Sequence, residues 1–365
     1  MSISTISFNN ASRAQIMRVQ ADLRDALVES TTNRHADVGR TLGRATADAV
    51  SFRAQETSLE RMLQSNTLVT QRLELMDDTL ARVQKRAEAV RDQLIPSLSD
   101  PAFFSSAKQV TAAAMEEFVG ALNLSVGGQY LFSGTQTDIR PLTPYASGPG
   151  EAVRDHFAQF LSVAGRTEAT VTADEVAAYF GGGFTAQARD PAGVPLTDAN
   201  GAPVTTTIAF DDLFEDPSWN ETFSNASDTP IQSRIGKTET ISSSVSANME
   251  VFRDLMAGFA AMELASEAMD PSARQAIGNA ARAKVANGVA GLTALQSDLG
   301  NRMARVSAAN ASITQQKDIF KAHVASLEEV DLVEASQRVA ALQTQLEASY
   351  RVTGMIREIN ILDYL

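Results

Sequence analysis

Apolar residues in the first hundred positions recur at steps of three and four, the spacing that places side chains on one face of an α-helix. This stripe consists of Val38, Leu42, Ala45, Ala49, Phe52, Leu59, Leu63 and Leu73, followed by Met76, Leu80, Val83, Ala87, Val90 and Leu94. Pro96 ends it, because proline cannot continue a helix. A helix over residues 40–95 would be about 80 Å long, a length typical of an elongated bundle or coiled coil.

Similar stripes mark both ends of the chain. Near the C-terminus the stripe consists of Leu332, Ala335, Val339, Leu342 and Leu346, with weaker continuation through Ser349, Thr353 and Ile356. Near the N-terminus it consists of Ile16, Val19, Leu23 and Ala26. A lone amphipathic helix leaves its stripe in water, so we expect the two terminal helices to pair antiparallel. The alternative is that each stripe packs within an ordinary α-helical domain.

Two further helices are predicted over residues 233–268 and 272–316. The break between them falls at Asp270-Pro271. Asp270 suits the N-cap, where a side-chain oxygen accepts hydrogen bonds from free backbone N–H groups, and Pro271 suits the first helical position.

The stretch between these flanks, residues 141–235, has a different composition. It holds 13 Asp and Glu residues against 4 Lys and Arg residues, and it holds the only Trp and many Gly and Pro residues. Strand-like sequences occur at Thr170–Thr172 and Val204–Phe210. Asn200-Gly201 predicts a hairpin turn, and residues 174–180 predict a short helix that three glycines end. We interpret this stretch as a small β-rich insertion with one helix.

The predicted fold is therefore mainly α, an elongated helical rod or coiled-coil bundle built from the two flanks. We expect three domains. Residues 1–45 with 320–365 form a terminal coiled coil, residues 46–140 with 236–319 form a helical rod domain with a hairpin near 127–137, and residues 141–235 form the acidic insertion. In this arrangement both termini lie at one end and the insertion at the other.

Composition excludes several classes of function. Cysteine is absent, so disulfides, thiolate metal sites and cysteine nucleophiles are excluded. The net charge of −13 argues against binding to nucleic acid or to an anionic membrane. No run of about 18 apolar residues predicts a membrane span. The first ten residues lack the basic and apolar regions of a Sec-type signal peptide.

Candidate chemical sites are weak. The glycine-rich segment 127–135 lacks the lysine of a phosphate-binding loop, so we interpret it as a helix stop followed by a hairpin strand. The acidic cluster Asp211, Asp212, Glu215 and Asp216 lacks the spacing of a calcium loop. His35, His156 and His323 have no metal-binding context. Asn123, Asn220 and Asn225 begin glycosylation triplets that arise often by chance. We expect no cofactor, no metal and no enzymatic activity.

Several segments resemble the bacterial flagellin family. Gly127-Gly128-Gln129-Tyr130-Leu131-Phe132-Ser133-Gly134-Thr135-Gln136-Thr137, followed by Pro141, is similar to the hairpin of its hook–filament junction branch, hook-associated protein type 3. The C-terminal segments 331–335, 346–350 and 362–365 and the opening Ile3-Ser4-Thr5 are also similar. Filament flagellins tend to carry an Asp-Asp-Pro-Ala-Gly-type motif, whereas residues 43–50 here read Gly-Arg-Ala-Thr-Ala-Asp-Ala-Val. This departure favours the junction branch.

The resemblance implies a structural subunit of the bacterial flagellum that links hook to filament. It implies passage through the flagellar export apparatus and an extracellular location at the hook–filament junction. The implied partners are copies of the same chain in a helical ring, another hook-associated protein on the hook side, flagellin on the filament side, and an export chaperone at the C-terminal helix. The alternative is a filament flagellin.

We expect the subunits to assemble through their terminal helices, which would be incompletely ordered in the free subunit because their stripes lack cover. The predicted assembly interface consists of Ile16, Val19, Leu23, Leu27, Leu332, Val339, Leu342, Leu346, Tyr350, Ile356, Leu362 and Leu365. The predicted hairpin motif consists of Gly127, Gly128, Tyr130, Phe132, Ser133 and Gly134.

Overall fold

The computed structural model of the protein describes residues 2–95, 98, 100–188 and 194–362. The chain forms two compact units. The first comprises the chain up to Gln64 together with the residues from Ala311 onward, and the second is Ser65–Asn310. The stretch 141–235 belongs to the second unit with the helices on both sides of it. The three-domain division drawn from composition remains a prediction.

The described part of the first unit is helical, apart from its turns and an isolated β-bridge between Arg34 and Glu329. It contains α1 (Ser2–Thr32), α2 (Val38–Leu42), a 3₁₀ turn (Gly43–Ala45), the beginning of α3 (Thr46–Gln93), the end of α9 (Pro271–Glu328) and α10 (Leu332–Leu362). The long helix predicted over residues 40–95 is confirmed as α3, although its start is later than expected. Asp37 caps the separate helix α2 by accepting a hydrogen bond from the Arg40 N–H at 2.9 Å. Pro96 lies outside the described residues.

The second unit is built on four helices, which are α3, α4 (Pro101–Leu122), α8 (Glu250–Leu264) and α9. The stripe predicted on α3 is buried here, at Leu73, Met76, Leu80, Val83, Ala87 and Val90. Phe118 of α4 meets Phe259 of α8 edge to face, with ring centres 5.8 Å apart. Gly288 lets α9 approach α8 closely, since a Cβ there would lie 2.5 Å from the Leu255 side chain.

The break at Asp270-Pro271 is confirmed. The Asp270 carboxylate accepts a hydrogen bond from the Ser272 N–H at 2.8 Å, and α9 starts at Pro271 and continues to Glu328, beyond the predicted end. The helix predicted over residues 233–268 was wrong in its first half. β5 (Gln232–Arg234) and β6 (Thr240–Ser242) form a hairpin there, and α8 starts only at Glu250.

Serine explains the failed half of that helix. Residues 242–244 are all Ser, and serine side chains compete with a helix by bonding to nearby backbone. Here the Ser244 hydroxyl accepts a hydrogen bond from the Ile231 N–H at 2.7 Å, and the Ser243 N–H donates to the Ile231 carbonyl at 2.8 Å. The serine run therefore extends the β5–β6 hairpin.

The stretch 141–235 contains helices as well as the predicted hairpin. Its elements are α5 (Pro149–Ala164), α6 (Ala173–Phe180), β3 (Phe184–Gln187), β4 (Thr205–Ile208), a 3₁₀ turn (Phe210–Leu213) and α7 (Ser218–Thr222). The predicted short helix is confirmed as α6, which Thr172 and Glu175 begin as a capping box. The turn at Asn200-Gly201 is confirmed, because the Gly201 N–H donates to the Asp198 carbonyl at 2.9 Å.

Two features of this stretch differ from the sequence analysis. The strand predicted at Thr170–Thr172 was wrong, because Thr172 is instead the N-cap of α6 and Val171 is buried beside it. Helix α5 starts at Pro149 and was not predicted, because the many Gly and Pro residues of this stretch favoured turns. Proline is in fact well suited to the first turn of a helix, where its missing N–H is not needed.

An aromatic core joins the stretch 141–235 to its flanking helices. The aromatic residues of this core are Phe157, Phe160, Tyr179, Phe180, Phe210, Phe214, Trp219 and Phe223. Trp219 stacks on Phe223, with ring centres 5.1 Å apart, and its indole N–H donates to Asn248 Oδ1 at 3.0 Å. The Asn248 amide in turn donates to the Ala226 carbonyl at 2.9 Å and to the Asp228 carboxylate at 2.7 Å. Asn248 therefore connects three segments.

We expect Asn248→Ala to lower the free energy of unfolding of the second unit by about 2–3 kcal/mol, because it leaves the buried Trp219 N–H and the Ala226 carbonyl without partners. Urea unfolding followed by Trp219 fluorescence measures this directly, since the chain has no other tryptophan. Asn220→Ala, on the exposed side of α7, is the matched control and should change the midpoint little. Equal midpoints for both variants would contradict the connecting role of Asn248.

Candidate functional site

The terminal helices α1 and α10 pack along each other in the first unit. Their hydrogen bonds join Ser12 to Thr353 at 3.2 Å and Gln20 to Tyr350 at 2.7 Å. Residue numbers rise along α1 as they fall along α10, so the two helices are antiparallel, as the stripes predicted. This pair carries most of the residues that we predicted as an assembly interface.

Only part of the predicted interface is covered within the chain. Val19 is buried between the helices together with Ala26 and Ala335. A second group is half-buried along the same contact and consists of Ile16, Leu23, Val339, Leu342 and Leu346. Small residues make up much of the fully buried part. The contact between the two helices is therefore close but narrow.

The remaining apolar side chains of the pair are exposed. Leu27, Leu332 and Tyr350 of the predicted interface are 42%, 47% and 50% exposed. The same is true of Met17, Val28, Val333, Val352 and Met355. Ile356 and Leu362 lie within α10, but their side chains are outside the described set, and Leu365 lies outside the described residues altogether. The pair thus presents apolar surface that its own chain does not cover.

Two buried glutamates hold the end of the pair where α1 stops and α10 starts. Glu328 accepts hydrogen bonds from the guanidinium groups of Arg34, at 2.5 Å, and Arg53. Glu29 Oε2 forms an ion pair with Arg338 Nη1 of α10 at 3.2 Å. Its other carboxylate oxygen, Oε1, lies 3.5 Å from His35 Nδ1. The ion pairs are charge-assisted and partly desolvated, so they are stronger than ordinary surface pairs.

These charged residues were not predicted from the sequence. One signal was present, because Glu29 lies three residues after Ala26 and so falls on the apolar stripe of α1. A charge on such a stripe predicts either an error in the helix assignment or a buried partner. Glu29 pairs with Arg338, and Glu328 pairs with Arg34 and Arg53. These partners are far apart in sequence, so the pattern of one helix could not reveal them.

The hairpin motif lies in the second unit, at the end of α4. β1 (Ser125–Val126) and β2 (Gln129–Tyr130) pair antiparallel across Gly127-Gly128, and both glycines have positive φ, at 59° and 80°. A two-residue turn with positive φ at both positions is type I′, which fits the twist of two antiparallel strands. Tyr130 is half-buried. The turn is exposed, and a Cβ placed on Gly127 or Gly128 would have no atom of the second unit within 4 Å.

The second half of the motif is buried and joins three segments. Phe132 and Ser133 are fully buried. The Phe132 carbonyl accepts a hydrogen bond from the Ala247 N–H at 2.8 Å, and the Ser133 carbonyl accepts one from the Ser227 N–H at 3.0 Å. At Gly134, φ is +62° and a Cβ would lie 2.2 Å from the Ser227 carbonyl oxygen. The Ser-Gly pair therefore reflects close packing against residues 226–229.

The candidate chemical sites form ordinary structural contacts. Asp211 pairs with Lys284 at 2.9 Å, Asp216 pairs with Arg253 at 3.1 Å, and Asp212 accepts a hydrogen bond from the Ala209 N–H. Burial raises the pKa of Asp254 near this cluster, and Lys284 opposes that rise. In the described part of the chain no three His, Cys, Asp or Glu residues are grouped so that they could bind a metal ion.

The histidines have separate surroundings. His156 Nδ1 lies 2.8 Å from the Tyr179 hydroxyl, and burial lowers the pKa of the imidazole. His323 stacks on Phe52, with ring centres 5.3 Å apart. None of the helices in the described part of the chain combines the length and the apolar character needed to cross a bilayer.

We expect Gly134→Ala to destabilise the second unit by more than about 2 kcal/mol, because it combines an unfavourable φ with a clash against backbone that cannot move aside. Gly128→Ala is the matched control. It has a similar φ but open space around its Cβ, so it should cost only about 1 kcal/mol. Thermal unfolding of the two variants measures the difference, and a Gly128→Ala effect as large as that of Gly134→Ala would contradict the packing argument.

Comparison with known proteins agrees with this architecture. The N-terminal helical region of bacterial flagellin matches residues 3–137, and its C-terminal helical region matches residues 283–365. A solved structure from Vibrio parahaemolyticus, provisionally assigned as a flagellar hook-associated protein, has a similar fold. The alignment has a TM-score of 0.50, 13% sequence identity, and covers 78% of this chain and 97% of that chain. A search of curated proteins found no match.

The two flagellin regions together span more than half of the chain and include both of its helical flanks. They contain the paired terminal helices and the Gly127–Gly134 motif. The solved structure shares the fold at an identity too low to show more than that. The chain therefore belongs to the bacterial flagellin family, whose members are structural proteins of the extracellular flagellum.

Proposed function

We propose that this flagellin-family protein is the junction subunit between hook and filament. The observation that carries the proposal is the terminal pair, in which α1 and α10 bury a narrow contact and leave Leu27, Leu332 and Tyr350 exposed. Neighbouring subunits would cover this surface. The similarity of the Gly127–Gly134 motif to the junction branch, and the fold shared with a hook-associated protein, support the junction over other positions.

Assembly follows from the burial of apolar surface. Each exposed Leu or Val side chain that a neighbour covers contributes about 1.5–3 kcal/mol if it becomes fully buried. A few such side chains per contact are sufficient for stable association once the cost of ordering the helices has been met. Contacts between different surfaces of successive copies generate a helical array. We therefore propose a helical ring of copies, with another hook-associated protein on one side and flagellin on the other.

The proposed location is the hook–filament junction, reached through the flagellar export apparatus. A chain without cysteine, rich in long helices, suits export in an unfolded state and rapid refolding from local contacts. An export chaperone that binds α10 would protect its apolar side chains before export. The three-domain division also belongs to this proposal, with the terminal coiled coil as the part that neighbouring subunits enclose.

A filament flagellin is the second candidate, because the flagellin regions match both flanks of the chain. Electron microscopy of cells that lack the protein separates the two. A junction subunit predicts intact hooks without filaments, and flagellin released into the medium. A filament subunit predicts the loss of filament protein itself. Normal filaments in such cells would refute both.

We expect Leu342→Asp to block incorporation into the flagellum, because it places a charge in the half-buried contact between α10 and α1. The adjacent Gln343→Asp is the matched control, since it adds the same charge on the exposed polar face of α10. Motility and filament counts in complemented cells measure the effect, and Trp219 fluorescence checks that the second unit remains folded. Normal incorporation of Leu342→Asp would count against the terminal pair as the assembly element.

A further inference from the structure

The chain contains two Asn-Gly pairs, and the structure places them in opposite surroundings. Asn200-Gly201 forms the tip of the hairpin that continues from β3 and β4, and Asn287-Gly288 lies within α9. The dipeptide is chemically distinctive, because glycine has no side chain to shield its backbone nitrogen. That nitrogen can attack the side-chain amide of the preceding asparagine. Whether it does so depends on how freely the glycine backbone can move.

The tip around Asn200 is exposed and makes few contacts. Every residue from Val194 to Thr207 is exposed to solvent. Gly201 has φ of +80°, and a Cβ placed on it would have no described atom within 4 Å apart from its chain neighbours. Segments with exposed hydrogen bonds and few buried apolar contacts open locally at a small cost in free energy. The tip can therefore open while the rest of the second unit stays folded.

Asp198 keeps the tip closed. Its carboxylate oxygen Oδ1 accepts hydrogen bonds from the Asn200 N–H and the Ala202 N–H, both at 2.8 Å. Its backbone carbonyl accepts a hydrogen bond from the Gly201 N–H at 2.9 Å. The nitrogen that would attack Asn200 is therefore held in a hydrogen bond while the turn is closed, and it is released when the turn opens.

The second pair is held by its helix. Asn287 is exposed, as Asn200 is, but Gly288 is buried where α9 approaches α8. An N–H group inside an α-helix donates to the carbonyl four residues earlier. Closing a ring onto the asparagine side chain also needs a backbone that is not helical, so α9 would first have to unfold around Asn287. The same dipeptide is thus mobile at one site and fixed at the other.

We propose that Asn200 is a site of spontaneous deamidation and that the Asp198 turn sets its rate. When the turn opens, the Gly201 nitrogen loses its proton to hydroxide and bonds to the side-chain carbonyl carbon of Asn200. The bond from that carbon to Nδ2 breaks, and the leaving nitrogen takes a proton from water and departs as ammonia. Water then opens the cyclic succinimide at either of its carbonyl groups, which gives aspartate or isoaspartate.

The product adds a carboxylate to a stretch that is already acidic. The new charge lies next to Asp198 in the turn, and isoaspartate also places an extra methylene group in the backbone. Because ammonia is lost to solvent, the change is permanent, and the deamidated fraction increases with the age of the chain. The inference goes beyond the proposed function and does not depend on the flagellar position of the subunit.

Incubation of the folded full chain at mildly alkaline pH tests the proposal, with the products identified by trypsin digestion and mass spectrometry. We expect product at Asn200 well before any appears at Asn287. Asn220 and Asn225 lie in the same tryptic peptide, residues 190–234, and serve as internal controls because Glu and Ala follow them. In urea, which unfolds both Asn-Gly pairs, Asn200 and Asn287 should react at similar rates. No product at Asn200, or equal product at Asn200 and Asn287, in the folded chain would overturn the proposal.

Removal of the Asp198 side chain tests what sets the rate. We expect Asp198→Ala to speed the deamidation of Asn200 in the folded chain by about tenfold, because two hydrogen bonds that close the turn are lost. Asp155→Ala, which removes an exposed carboxylate from α5, is the matched control and should leave the rate unchanged. In urea, where the turn is absent, Asp198→Ala should have a much smaller effect.

Trp219 fluorescence checks that the second unit of each variant remains folded during the incubation. A folded Asp198→Ala chain that deamidates no faster than the Asp155→Ala chain would overturn the assignment of the rate to the turn. None of these outcomes bears on the junction role, which fails on a different observation, normal filaments in cells that lack the protein.

Discussion

The long helices of this chain are stable only when neighbouring helices pack over their narrow apolar stripes. In the second unit the stripe of α3 is part of one buried core with α4, α8 and α9, and Leu73, Met76 and Leu80 are fully buried. In the first unit α1 and α10 pack along each other, and several of their apolar side chains remain exposed. A stripe enclosed in a core stabilises the fold, whereas a stripe that is only partly covered leaves surface for assembly. From this difference we infer that the second unit stabilises the folded subunit and that the first unit provides the surface for assembly.

Buried polar groups fix which helices pair and in what register. Apolar stripes of Ala, Leu and Val are nearly interchangeable, so a shift by one turn would cost little on their account. The Asn66 amide of α3 donates hydrogen bonds to the Ile235 carbonyl at 2.9 Å and to Asn310 Oδ1 of α9 at 2.7 Å. The second bond fixes the register of α3 against α9. In the first unit Glu29 does the same for α1 and α10 through Arg338, and Glu328 connects the end of α9 to Arg34 and to Arg53 of α3. Displacing either pairing would leave a buried polar group without a hydrogen-bond partner and so lower the free energy of unfolding.

The Gly127–Gly134 motif shows how a short sequence can be informative about a family without containing any chemistry. Its first glycines supply a type I′ turn, and its Ser-Gly pair packs directly against the backbone of residues 226–229. Both positions require glycine. The turn needs positive φ, which other residues rarely adopt, and the close packing at Gly134 leaves no space for a Cβ. The same residues read as a phosphate loop would have suggested an enzyme, and the missing lysine was sufficient to argue against it.

The sequence by itself determined the helical flanks, the break at Asp270-Pro271, the helix α6 and the antiparallel pairing of the termini. These features follow from periodicity and capping, which are local and leave a mark on adjacent residues. Only the tertiary structure decided that residues 232–242 form a hairpin, that α5 is a helix, and that Glu29 and Glu328 are buried. The burial of the two glutamates depends on partners far away in the chain, because a polar side chain is satisfied or left unsatisfied only by what folding brings beside it.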